Sequence, residues 1–94
     1  MLQLPATLTH DQAAACVKEL VRSLANEPAA AVLDAAALTS FDSSAMAVVL
    51  ELRRACARLG KELVVQGLPA QLLALATLYG VQTLMGAQTQ QAQP

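Results

Sequence analysis

The side chains best suited to chemistry in this chain are three consecutive polar residues, Asp42, Ser43 and Ser44, in an otherwise aliphatic stretch. Each is a favourable N-cap, because a side-chain oxygen accepts hydrogen bonds from the free N–H groups of a helix's first turn. A hydroxyl here is expected at the surface, beside a carboxylate and at the positive end of a helix. A serine nucleophile needs a base to activate it. No histidine accompanies these residues, so they do not predict a hydrolase.

The other reactive side chains form no recognisable catalytic or metal-binding motif. His10, the only histidine, falls in the first turn of a predicted helix and is expected at the surface. Cys16 and Cys56 fall in two different predicted helices, without a CxxC pair, and are expected to be reduced core thiols. They and one histidine are too few ligands for a zinc site. Asp34 follows a predicted strand, but no phosphate-binding loop or GxSxG motif accompanies it. We predict no enzymatic activity, no cofactor and no metal.

Composition argues against two classes of partner. The net charge is −1 with scattered basic residues, and Phe41 and Tyr79 are the only aromatic side chains. The chain therefore offers neither the basic surface nor the stacking platform that nucleic-acid binding requires. Asp34, Asp42 and Glu51 interrupt the apolar stretches, so no window reaches the roughly 20 apolar residues of a membrane span. We expect a soluble, cytoplasmic protein that does not insert into a membrane.

The polar residues lead into an amphipathic helix, which the sequence predicts from about Ala45 to Leu59. With about 100° of rotation per residue, this helix has a core-facing arc. The arc consists of Ala45, Val48, Val49, Leu52, Ala55, Cys56 and Leu59. The opposite face is expected to be solvated and consists of Ala47, Glu51, Arg54 and Arg58.

A third stripe runs between these two faces and begins beside Ser43. It consists of Met46, Leu50, Arg53 and Ala57. The stripe is too apolar for a solvated face and lies away from the centre of the predicted core. Two interpretations are open: a second layer of the same domain buries the stripe, or the stripe is a docking surface for another protein.

Strand and helix signals alternate along the N-terminal part of the chain. The first eight residues alternate apolar and polar positions, and Pro5 restricts this short strand to an edge or a bulge. Thr9 and Gln12 have the spacing of a capping box, which predicts a helix from there to about Asn26. The apolar residues 29–33 predict a central strand.

The same alternation continues after the amphipathic helix. Gly60 is expected to be a left-handed cap, and Leu63 to Val65 predict a second interior strand. Pro69 is expected at the first position of a third helix, which Gly80 closes. Residues Val81 to Met85 predict a last short strand.

This order of elements predicts a small α/β domain over residues 1–85. The expected sheet is mixed but mostly parallel, with about four strands, and the helices crowd mainly on one face. Residues 86–94 carry no large apolar side chain and are expected to form a disordered C-terminal tail.

Three parts of the sequence resemble the STAS domain. They are the run AVLD at 31–34, the run FDSSAMAVVL at 41–50, and Gly60 followed by the strand at 63–65. STAS domains are shared by bacterial anti-sigma factor antagonists, sulfate transporter tails and a small subunit, MlaB, of the lipid-asymmetry ABC transporter. The resemblance implies a STAS-like fold and a role in protein–protein interaction.

Ser43 is the position to which the resemblance draws attention. In STAS domains regulated by phosphorylation, the acceptor is the Ser or Thr directly after the aspartate, which corresponds to Ser43 here. In MlaB-type subunits, the resemblance implies that this residue contacts the ATPase subunit instead. Gln66-Gly67 and the helix end at 75–81 are similar to the MlaB-type subunit, which favours the transporter interpretation.

Residues and resemblance together predict a non-catalytic accessory subunit of a phospholipid-transporting ABC complex, cytoplasmic and held at the inner membrane by its partners. Its direct partner is expected to be the ATPase subunit, and through it the permease. The alternative is an anti-sigma factor antagonist, whose partner kinase phosphorylates Ser43. The expected partner-binding residues are Asp42, Ser43, Ser44, Met46, Ala47, Leu50, Arg53 and Arg54.

Overall fold

A computed structural model of the chain describes residues 1–81, which form five strands and three helices. The strands are β1 (Leu2–Gln3), β2 (Thr7–Leu8), β3 (Ala30–Asp34), β4 (Ser40–Phe41) and β5 (Glu62–Gln66). The helices are α1 (His10–Leu24), α2 (Ser43–Arg58) and α3 (Ala70–Leu78). This arrangement confirms the predicted small α/β class.

The larger sheet is parallel, in the order β1-β3-β5. Leu33 lies opposite Leu2 on one side and Val65 on the other, so β3 is the central strand, as predicted. β5 was predicted to be an interior strand, but within residues 1–81 it pairs only with β3 and lies at an edge.

A second sheet of two parallel strands, β2 and β4, is present beside the first. Its origin is Pro5, which has no N–H to continue the ladder with β3. Leu4 still donates to the Asp34 carbonyl, at 3.0 Å, and after Pro5 the Ala6 carbonyl accepts from the amide of Ser40, at 2.9 Å. The predicted first strand is therefore an edge strand in two pieces, and β4 is an element that the sequence did not predict.

The core lies on one face of the larger sheet. Leu33 and Val65 are buried there, whereas Val32 and Val64, which point to the opposite face, are only half-buried. The buried side chains of α1 and α2, including Leu24 and the predicted core arc from Ala45 to Cys56, join the same core. Leu59, the last residue of the predicted arc, is instead 53% exposed. Two helices thus cover one sheet face, which agrees with the predicted crowding of the helices.

α1 begins and ends with identifiable caps. The Thr9 amide donates to Gln12 Oε1 at 2.8 Å, which confirms the predicted capping box. The helix ends at Leu24, two residues before the predicted position. Lys61 Nζ, from the start of the β5 segment, donates to the carbonyls of Leu24 and Glu27. These charge-assisted bonds satisfy orphan carbonyls at the helix end.

α3 follows β5 and packs against α2. Pro69 is its N-cap, so the helix begins at Ala70, one residue later than predicted. Gly80, which was predicted to close the helix, follows the C-cap Tyr79 in a left-handed conformation. Leu72 is buried, whereas Tyr79, at the end of the helix, is 58% exposed. The strand predicted at 81–85, except for its first residue, and the predicted tail at 86–94 lie outside the described residues.

Candidate docking surface at the start of α2

The two-stranded sheet brings the starts of α1 and α2 together. β2 leads into Thr9, the N-cap of α1, and β4 leads into Asp42, the N-cap of α2. Because β2 and β4 are parallel and in register, the two caps lie at the same end of this sheet. The carboxylate of Asp42 uses both oxygens here: Oδ1 accepts from the Ser44 amide at 2.8 Å and Oδ2 from the His10 amide at 3.1 Å.

These hydrogen bonds hold the pKa of the Asp42 carboxyl below its ordinary value. The Ser44 amide is the largest cause, and the His10 amide and the charge of the His10 ring act in the same direction. A carboxylate that accepts two backbone N–H bonds at helix starts is favoured in its charged form. Asp42 is therefore a charged, structural tie between two helices.

Ser43 and Ser44 differ in accessibility. Ser43 is the first residue of α2 and is exposed, whereas Ser44 is half-buried. The hydroxyl of Ser43 thus lies at the surface beside the Asp42 carboxylate, as predicted from the sequence.

The outer face of α2 continues from Ser43 along the helix. Residues at i, i+4, i+7, i+11 and i+14 share one face of a helix. From Ser43 these are Ala47, Leu50, Arg54 and Ala57, which are exposed except for the half-buried Leu50. We call this set, together with the neighbouring exposed Arg53, the outer face of α2. It is about 21 Å long, at 1.5 Å per residue.

Met46 does not belong to this exposed surface. Met46 is only 6% exposed and contributes to the domain's own core, so of the two interpretations of the third stripe, burial within the domain holds for this residue. The reason is that α1, β5 and α3 all contact α2, which buries a wider arc than one neighbouring layer would. Of the predicted third stripe, Leu50, Arg53 and Ala57 remain accessible.

Comparison with known protein families identifies the family of this domain. The family model described as "Mlab, STAS domain" matches residues 1–86, which includes the two-piece first strand. The chain belongs to the STAS domain family. No curated protein and no solved structure shows significant similarity to it. STAS domains are as a rule non-catalytic, and membership suggests an accessory or anti-sigma-antagonist-like role.

Asp34, the other acidic residue near a strand end of this STAS domain, has a structural role. Its Oδ1 accepts from the amide of Ala36 at 3.0 Å and so stabilises the turn after β3. Among residues 1–81, no three histidine, cysteine or acidic side chains are grouped as metal ligands would be. Nor does this part of the chain contain a helix that is long and apolar enough to cross a membrane.

The two cysteines of the STAS domain are free thiols in different helices. Cys56 is buried in the core, as predicted, whereas Cys16 is only half-buried. Burial raises the pKa of both thiols, so the protonated, weakly nucleophilic form is favoured. His10 is exposed, as predicted.

The bond from the His10 amide to Asp42, which holds the starts of α1 and α2 together, was not predicted from the sequence. A two-residue strand leaves no alternating pattern, so β4 carries no strand signal of its own, and nothing in the predicted first strand indicates that its second piece, β2, pairs with β4. One signal was available: Leu8-Thr9 and Phe41-Asp42 each place an apolar residue directly before a helix cap. That repeated pairing is typical of helix starts whose entry is fixed by packing.

Proposed function

We propose that this STAS domain is a non-catalytic accessory subunit of a phospholipid-transporting ABC complex. It docks on the ATPase subunit, and through it on the permease, and its partners hold it at the cytoplasmic side of the inner membrane. One observation carries the proposal: the exposed Ser43 hydroxyl lies where two helices start and continues into the exposed outer face of α2. The family description, which names an Mlab domain, supports the transporter branch.

The site suits docking because hydrogen bonds hold its two helix starts together before a partner binds. Asp42 ties the two helix starts through hydrogen bonds of 2.8 and 3.1 Å, so Ser43 is held in one position. A preorganised surface loses less conformational entropy when it binds. In the complex, the Ser43 hydroxyl and free N–H groups of the helix start bond to the ATPase, while Ala47 and Leu50 pack against it.

The alternative function is that of an anti-sigma factor antagonist, and the position of Ser43 favours it. This serine directly follows Asp42 and is exposed, which a phosphate acceptor requires. Phosphorylation would add a charge of about −1.5 to −2 beside a carboxylate whose low pKa keeps it charged. Repulsion and desolvation would then expel a partner that buries this corner.

Both functions predict that Ser43→Glu prevents partner binding. The partner would have to bury an unpaired charge, which weakens binding by about 3 kcal/mol or more, or roughly a hundredfold. A glutamate in the first turn of a helix favours the fold, so loss of binding would not reflect unfolding. The measurement is a pull-down with the purified candidate ATPase subunit from the same genome.

Two variants control this experiment. Ser23→Glu places the same charge at an exposed position near the other end of α1 and is expected to bind normally. Ser43→Ala removes only the hydroxyl and is expected to weaken binding severalfold. If Ser43→Glu retains the ATPase as well as Ser23→Glu does, the docking site at Ser43 has been assigned incorrectly.

The two functions separate in a phosphorylation assay. Incubation with the cognate anti-sigma kinase and ATP is expected to leave Ser43 unmodified if the chain is a transporter subunit. Stoichiometric modification of Ser43 would instead establish the antagonist. The neighbouring genes offer an independent check, since an ABC ATPase and permease are expected beside a transporter subunit.

A further inference from the structure

α2 carries a large share of the chain's positive charge. The whole chain has six basic residues and a net charge of −1. Three of the six, Arg53, Arg54 and Arg58, lie in the last two turns of α2, and all three are exposed. The C-terminal half of this helix is therefore a local basic surface on a weakly acidic protein.

Two of these guanidinium groups have no acidic partner within residues 1–81. Arg54 pairs with Glu51 at 2.7 Å, but neither Arg53 nor Arg58 forms an ion pair in this part of the chain. Residues 82–94 contain no aspartate or glutamate, so they cannot supply an acidic side chain. Because Arg53 and Arg58 form no ion pair in residues 1–81, carboxylates of a partner can pair with them.

An apolar depression lies beside Arg53, one of these two arginines. Leu50, Arg53, Arg54 and Ala57 line a shallow groove of 240 Å³ on the outer face of α2. Ala57 allows a neighbouring backbone to approach closely, and the half-buried Leu50 provides an apolar floor. A surface with an apolar centre and charged borders is complementary to a helix with the opposite arrangement of charge.

We propose that this groove binds an acidic amphipathic helix of the partner protein. An apolar side chain of that helix fills the groove, and its carboxylates pair with Arg53 and Arg58. The proposal rests on the docking function given above and adds to it the chemistry of the partner segment. Electrostatic pairing at the border of an interface fixes orientation and raises the association rate.

The shape of the face favours a protein over an anionic lipid surface. Lipid binding by a helix lying in the interface requires large apolar side chains that protrude into the bilayer. Here the apolar positions are the half-buried Leu50 and two alanines, Ala47 and Ala57. The net negative charge of the whole chain also opposes approach to an anionic membrane.

The test compares two matched double variants in binding to the purified candidate ATPase subunit. Arg53→Gln/Arg58→Gln removes the two unpaired charges of α2. Lys18→Gln/Arg22→Gln removes two exposed charges of α1, and Arg22 lies in the last turn of its helix as Arg58 does. Affinity is measured at about 50 mM and about 500 mM NaCl, which span weak and strong screening. Urea unfolding of each variant checks that the fold is retained.

The α2 double variant is expected to bind roughly tenfold more weakly at low salt, and its affinity should depend little on salt. The wild type and the α1 double variant should bind equally and lose affinity as salt rises. Equal binding by both double variants would overturn the acidic-helix proposal. If Ser43→Glu still fails to bind in that case, the docking function remains supported and only the acidic-helix proposal is overturned. Failure of the wild type to bind would overturn both.

Phosphatidylcholine vesicles with and without phosphatidylglycerol provide the remaining comparison. No binding of the wild type to either kind is expected. Binding to the anionic vesicles that the α2 double variant loses would assign the arginines to a lipid surface, and would overturn the proposal of a protein partner.

Discussion

At the scale of single residues, Asp42 matters most because one carboxylate serves two helices. Each oxygen accepts one backbone amide, from Ser44 in α2 and from His10 in α1. A neutral N-cap such as serine or asparagine has one acceptor oxygen for these two donors. The charge also interacts favourably with the positive ends of both helices. These two hydrogen bonds also position Ser43, the next residue in the chain.

We therefore expect Asp42→Asn to lower the free energy of unfolding at pH 7. Because folding lowers the pKa of Asp42, its contribution is fully present above the unfolded pKa of about 3.9. The contribution is lost as the pH falls through the lower, folded pKa. Urea unfolding at neutral pH and below pH about 3 measures this, and the difference between wild type and variant should shrink in acid.

Asp11→Asn is the control for this prediction. Asp11 is an exposed carboxylate in the first turn of α1, so it shares the helix environment but not the position between two helices. Its replacement is expected to have a smaller effect at pH 7. An Asp42→Asn effect that is no larger, or that persists unchanged at low pH, would contradict the role of the charged tie.

At the scale of elements, the connections that follow the strands require particular residues, as the strands themselves do. Gly67 directly follows β5 and has φ +76°. A Cβ there would lie 3.0 Å from the backbone nitrogen of Ala36, in the segment that follows β3. The Ala35 amide also donates to the Gln66 carbonyl at 2.8 Å. The two connections thus touch at the carboxyl end of the sheet, and a side chain at position 67 would be crowded against Ala36.

Two glycine variants test this contact. Gly60→Ala introduces a side chain at φ +72° with nothing within 4 Å, so it is expected to cost only the left-handed penalty of about 1 kcal/mol. Gly67→Ala has the same penalty and also displaces the backbone of Ala36, so it should destabilise clearly more. Urea midpoints of the two variants provide the measurement. Equal losses would mean that the two connections do not pack closely.

At the scale of the whole molecule, the sheet has two unequal faces. Val65 is 1% exposed and faces the core beneath α1 and α2, whereas its neighbour Val64 is half-buried on the other face. Parallel strands are usually covered on both faces. In residues 1–81 the helices cover mainly one face of the sheet. The outer face of α2 is the side of this helix layer that points away from the sheet.

Identical truncations on the two faces should therefore differ in cost. Val65→Ala is expected to lower the free energy of unfolding by about 2 kcal/mol, because it removes fully buried apolar surface. Val64→Ala removes the same atoms from a half-buried site and should cost less than about 1 kcal/mol. Chemical denaturation of both variants measures the difference. A similar loss for the two would show that both faces are equally covered.

The local sequence was sufficient for every element with a strong periodic or capping signal. Thr9 with Gln12, the polar run at 42–44, and the apolar run at 29–33 each specify their structure through neighbours in the chain, and the structure confirms them. Family membership was accessible for the same reason, since the resemblance lies in contiguous runs. The exposure of Ser43 also follows locally, from its place at a helix start.

Only the tertiary structure decided which residues pack around those elements and which short strands pair. Whether Met46 lies in the core depends on how many neighbours contact α2, and a helical wheel does not contain that number. The pairing of β2 with β4, and with it the bond from His10 to Asp42, joins residues about thirty positions apart. Such contacts arise from the packing of the whole chain, because a two-residue strand has too little local preference to form by itself.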